Sequence, residues 1–248
     1  MQVASGLVTG LNLVLSLLVG ARLLRQSGGR WRAPELHLAT YFLVSSFLST
    51  VLQVPAYGSL VDPRLAAFAP HQATLLAGAV FCLQLGTSGV YLFVWRTFRP
   101  DRPWARNLAV FGIAAMFVGY LVEAAFEGFA IRIVAGPGHV IGCFGRIFAF
   151  VWAAWEALAY YARMRRRERL GLADPVVANR VWLWAMSGVA ATLLLVTVSW
   201  LAWRGALVLH DPAALLATAA AGLATGVCWY LAFLPPDAYL AWLQRRAA

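Results

Sequence analysis

Seven stretches of this chain are each long and apolar enough to cross a lipid bilayer. They run at 4–24, 36–56, 72–96, 107–130, 139–162, 181–203 and 212–234. A helix rises about 1.5 Å per residue, so roughly 20 apolar residues match the hydrocarbon core. Hydrocarbon offers no water to backbone N–H and C=O groups, which makes the helix the spanning form for such segments. Composition removes the water-soluble alternative. Of 248 residues, 62% are hydrophobic and only 12% are charged, against about a quarter charged in an ordinary soluble domain. The expected fold is all-α: a polytopic membrane protein with a seven-helix transmembrane bundle at 1–235 and a short interfacial helix at 236–248.

The loop charges predict an orientation. The first run begins almost at Met1 with no basic residue before it, unlike a secretory signal, so it reads as a retained helix with its N-terminus exported. All basic residues are arginine, and sixteen of the twenty then fall on one side. They are Arg22, Arg25, Arg30 and Arg32; Arg96, Arg99, Arg102 and Arg106; Arg163, Arg165, Arg166, Arg167, Arg169 and Arg180; and Arg245 and Arg246. The other side carries Arg64, Arg132 and Arg204, with Arg146 inside the fifth run. By the positive-inside rule this predicts N-out and C-in, with the run "RMRRRER" mainly a cytoplasmic loop between helices five and six.

Punctuation supports the spans. "FRPDRP" closes helix three and opens helix four, since Pro100 and Pro103 cannot continue a helix. Asp174–Pro175 and Asp211–Pro212 each read as an N-cap followed by proline at the first helical position. Pro235 and Pro236 stop helix seven. In "DAYLAWLQRRAA" the aromatic and leucine residues cluster at helical spacing before Arg245 and Arg246, which predicts an amphipathic helix on the membrane surface against anionic lipid.

A net charge of +10 raises nucleic acid as a partner. The arginines lie in short segments between apolar runs, so membrane topology explains them and no nucleic acid is expected. The absence of lysine excludes a retinal Schiff base, which needs a lysine amine.

Charged groups inside the membrane are costly and mark candidate sites. Glu123 and Glu127 are four apart on helix four, and Arg146 lies at matching depth on helix five. Arg146 is expected to pair with Glu123, and also with Glu127, either as a strut fixing helix register or as the floor of an outward-facing pocket. Glu156 lies towards the arginine-rich end of helix five. Its expected partners are Arg96, Asn179 and Arg180, a cluster that would tie helices three, five and six together as glue or as a switch. Small and hydroxyl residues in "FCLQLGTSGVY" and "SSFLST" read first as packing faces and second as pocket lining. Trp152, Trp155, Trp200 and Trp229 lie deeper than the other tryptophans.

His71, His139 and His210 open helices on the outer side, and Asp211 adjoins the last. These are ligand types suited to zinc, without a recognised spacing. They form the one metal reading open to the sequence, beside the ordinary one of interfacial or capping histidines. Cys82, Cys143 and Cys228 fall in three different apolar runs and read as small apolar residues rather than a disulfide framework.

The helix arrangement and the segment "WYLAFLPPDAYLAWLQRR" resemble the seven-helix N-terminal sensory regions of some bacterial histidine kinases and diguanylate cyclases. "RRRERLGLADPVVANRVWLW" is similar to a stretch of uncharacterised bacterial seven-helix proteins. The resemblance implies a sensory or ligand-binding module of a bacterial inner membrane. Those proteins continue into cytoplasmic catalytic domains and this sequence does not, so signalling through a separate protein partner, or as a homo-oligomer, is expected. An accessory subunit of a larger membrane complex is the alternative. A metal-dependent intramembrane hydrolase and a small transporter are further ones. No kinase, phosphatase or nucleotide-binding signature is present.

Overall fold

Proline occupies the first helical turn at Pro34, Pro103, Pro137, Pro175 and Pro212, where its missing N–H is not needed. Asp174 accepts the Val176 N–H at 2.8 Å, and Asp211 accepts those of Ala213 and Ala214 at 3.0 and 3.1 Å. Both expected caps therefore exist.

The computed structural model describes residues 2–28, 30, 33–60, 62–129, 135–206, 208 and 211–247, without the side chains of 2–5, 246 and 247. The elements are α1 (Gln2–Ser27), α2 (Pro34–Gly58), a 3₁₀ segment (Pro63–His71), α3 (Gln72–Phe98), α4 (Pro103–Glu127), α5 (Pro137–Glu168), α6 (Pro175–Trp203), α7 (Pro212–Phe233) and α8 (Asp237–Ala247). Helices α1 to α7 are long and apolar enough to span a membrane. The fold is all-α, a seven-helix bundle with a short last helix, and the chain is a multi-pass membrane protein. Large apolar side chains such as Phe111, Phe126, Phe144, Leu193 and Leu216 face outwards. In water such a surface would be a liability; against lipid it is the solvated face.

Two helices differ from regular α. Residues Tyr41–Leu48 of α2 form π-turns, as do Glu123–Glu127 at the end of α4. Wide turns of this kind are uncommon and concentrate at functional sites. The second is followed by Gly128 at φ 68° and Phe129 at φ 52°. Positive φ is free for glycine but strained for phenylalanine. Phe129 is held there by packing on Ala56, Leu76 and the Tyr120 ring, whose centroid is 5.0 Å away.

The basic run is not mainly a loop. Arg163 to Arg167 continue α5, which ends only at Glu168. Arginine is a good helix former, and cations suit a helix C-terminus. At roughly 1.5 Å per residue, the 32-residue α5 exceeds a hydrocarbon core of about 30 Å, so its arginines project beyond it.

Consecutive helices from α1 to α7 pack on one another; α1 also meets α7, α3 meets α5, and α8 packs on α6. Helices α3 and α5 are the most buried. Close approach of α4 and α5 depends on small residues: Gly119 faces the backbone of Gly138 and Gly142, and Gly145 accepts a hydrogen bond from Tyr91 Oη on α3 at 2.7 Å. Ser46 of α2 meets Ser16 of α1 at 2.6 Å, and Ser45 packs against Gly86 of α3, so "SSFLST" packs in both directions. A chain of aromatic edges through Phe42, Trp229, Phe233, Trp184 and Phe93 joins α2, α7, α6 and α3. The deep tryptophans divide: Trp152 and Trp229 are core, whereas Trp155 and Trp200 face outwards. Asn179 of α6 donates to Tyr239 Oη at 2.8 Å and docks α8.

Candidate functional site

Near the start of α5, His139, Cys143 and Arg146 recur at i, i+4 and i+7, so they share one helical face. Cys143 Sγ lies 3.2 Å from His139 Nε2, and Arg146 Nη2 donates to the same sulfur at 2.6 Å. Ser199 of α6 stands near the same thiol. Tyr57 at the end of α2 and Glu123 of α4 stand close enough to interact electrostatically with this group. Gln84 of α3 enters from the opposite side: its Nε2 and Arg146 Nη1 both flank Gly142, at 2.8 and 3.7 Å from where a Cβ would stand.

Arg146 is only 5% exposed, and its Nε has no hydrogen-bond partner among the described residues. Gln84, 1% exposed, leaves its Oε1 unpartnered, and Thr87 one turn on leaves its hydroxyl so. Buried polar atoms without partners are costly. Three of them on α3 and α5 make this an intramembrane polar cluster.

The expected ion pairs of Arg146 do not form. Its guanidinium turns to Cys143 instead of Glu123 or Glu127. Glu127 is buried at the start of α5 and accepts the Gly138 N–H at 2.6 Å, with Gly136 packed against the carboxylate. A helix N-terminus presents free N–H groups and a positive dipole end, so it attracts a carboxylate. Glu127→Gln is expected to lower unfolding stability by about 1 kcal/mol, checked by thermal unfolding in nanodiscs; an unchanged midpoint would remove the capping role.

At the arginine-rich end, Glu156 is 2% exposed and pairs with Arg99, whose Nε lies 3.0 Å from both carboxylate oxygens. Arg99 sits 5.9 Å from the Trp104 ring centroid. The expected partners are engaged elsewhere: Arg96 lies beside the Trp95 ring, Asn179 holds Tyr239, and Arg180 is exposed. Arg99 reads in sequence as part of the Pro-containing loop, but it is the residue immediately after α3 and its long side chain reaches back to α5.

Three of the four metal candidates are described. His71 is exposed before α3, His139 is bound to Cys143, Asp211 caps α7, and His210 lies outside the described residues, as do Arg32 and Arg132. Among the described residues no three His, Cys, Asp or Glu gather. A separate cavity of about 340 Å³ lies between α5, α6 and α8, lined by Tyr161, Arg165, Asn179 and Trp242.

The sequence reading missed Cys143, Tyr57 and Ser199. The i, i+4, i+7 spacing of His139, Cys143 and Arg146 was the available signal; Tyr57 and Ser199 had none, because they arrive from other helices. Comparison with protein-family models, curated proteins and solved structures finds no match, so the reading of this chain rests on its own residues.

Proposed function

We propose that the chain is a sensory or ligand-binding membrane module that takes a small polar ligand into a chamber around Arg146 and transmits occupancy along α5. The observation that carries this reading is the orphaned Nε of a 5% exposed arginine, with the Gln84 Oε1 and the Thr87 hydroxyl of α3 orphaned as well. Hydrocarbon offers these atoms nothing, and a ligand with an acidic or carbonyl oxygen and a hydroxyl would satisfy all three. Glu156 follows ten residues later on the same helix, about 15 Å away, and carries the Arg99 pair. A shift of α5 would act on both ends, and the arginine-bearing end with α8 is the surface for a protein partner. The positive-inside rule puts that end in the cytoplasm, and the arginine-only basic composition fits a bacterial inner membrane.

The test is native mass spectrometry of gently extracted protein, with thermal unfolding of the same samples. A small-molecule adduct is expected on the wild-type chain and absent from Arg146→Met and Gln84→Leu. Arg146→Met without ligand is expected to unfold at or above the wild-type temperature, because exchanging an unpaired buried ion for an apolar group of similar size is often neutral or stabilising. No adduct, together with a loss of about 3 kcal/mol in Arg146→Met, would make the arginine a strut and end the ligand reading.

A further inference from the structure

We propose that Cys143 is the reacting atom of this chamber, a nucleophile that captures small, uncharged, soft electrophiles of the α,β-unsaturated carbonyl class. His139 acts as its base and Arg146 stabilises the sulfur. Two groups converge on that one atom: an imidazole from the turn before at 3.2 Å and a guanidinium from the turn after at 2.6 Å. Cys82 and Cys228 are half-buried free thiols. The second indication of a ligand is independent of the thiol: the Arg146 Nε and Gln84 Oε1 atoms, both fully enclosed, remain unpartnered beside it.

The chemistry balances without an oxidant. With His139 as the Nδ1–H tautomer, Nε2 takes the thiol proton as Sγ adds to the β-carbon of the electrophile. The S–C bond forms, the C=C π pair moves into an enolate, and the imidazolium returns the proton to the α-carbon. Nothing leaves. Arg146 and the Gln84 amide N–H, both at Gly142, supply donors for the enolate oxygen. A thiol only 6% exposed, on an apolar helix, admits small uncharged reagents in preference to charged ones.

The inference deepens the ligand-binding reading and rests on that chamber, yet the two fail separately. The full chain in phosphatidylethanolamine/phosphatidylglycerol nanodiscs is treated with N-ethylmaleimide, and peptide mass spectrometry follows each cysteine. Cys143 is expected to react about tenfold or more faster than Cys82 and Cys228, and this order is expected to vanish in sodium dodecyl sulfate. His139→Asn is expected to slow Cys143 about tenfold or more while Cys82 and Cys228, which report on folding, keep their rates. A Cys143 that reacts slowest of the three, as its burial alone would dictate, overturns the proposal without any variant; so does a rate indifferent to His139→Asn. Fast capture with no co-purifying ligand keeps the nucleophile and removes the receptor; an occupied chamber with an inert Cys143 does the reverse.

Discussion

Gly119→Ala is expected to destabilise the bundle by about 2–3 kcal/mol, far more than a methyl added at a lipid-facing position. A Cβ at Gly119 would lie 2.5 Å from the Gly142 nitrogen and 2.8 Å from the Gly138 carbonyl oxygen. Both are backbone atoms of α5, so no rotamer change relieves the contact and the two helices must separate. Separation also shifts α5 relative to Gln84 of α3, so ligand occupancy or Cys143 reactivity should fall with stability. Gly10→Ala is the matched control. Nothing stands within 4 Å of that position, and alanine there should raise stability by up to about 1 kcal/mol through helix propensity. Equilibrium unfolding of both variants in one detergent checks the contrast. Equal behaviour would mean that the α4–α5 approach is looser than the glycine contacts require.

Arg99→Met is the second large effect, with an expected loss of about 3 kcal/mol. It leaves Glu156, at 2% exposure, as a buried carboxylate without its cation. The reciprocal change should be milder. Glu156→Gln keeps a hydrogen-bond acceptor, and Arg99, whose side chain is 32% exposed, can extend towards the interface in the manner of snorkelling arginines; its cost is expected at about 1 kcal/mol. The order of the two variants is the decisive quantity. If Glu156→Gln proves the more damaging, the carboxylate has a further role at this end of α5 beyond pairing with Arg99. If the proposed signal passes along α5, both variants should also alter coupling to a partner, while Glu127→Gln, at the far end, alters ligand retention.

How far the sequence speaks is clear from particular residues. The N-caps Asp174 and Asp211 were legible because a cap and the proline after it act within two or three residues. So was Arg146 as an intramembrane oddity, since an apolar run exposes any charge within it. Its partner was not legible. Glu123 and Glu127 matched it in depth, but depth is one coordinate of three. Glu127 went to the start of α5, which had equally good electrostatic reasons to receive it. Arg99 was passed over for Arg96 because spacing along α3 says nothing of how far a side chain just beyond the helix can fold back. A dense run of charge after an apolar span reads as loop, whereas arginine extends α5 readily to Glu168.

The sequence by itself determined that seven helices form, roughly where each begins and ends, and that the surface is lipid-solvated. These follow from transfer free energy summed over about 20 residues and from capping chemistry confined to a few. Only the tertiary structure decided which face of each helix turns inward. Helix rotation is set by contacts such as Gly119 on Gly142 and Ser45 on Gly86, made between residues far apart in the chain. That rotation brings a thiol, an imidazole and a guanidinium on α5 to an amide on α3, which no one-dimensional spacing could arrange.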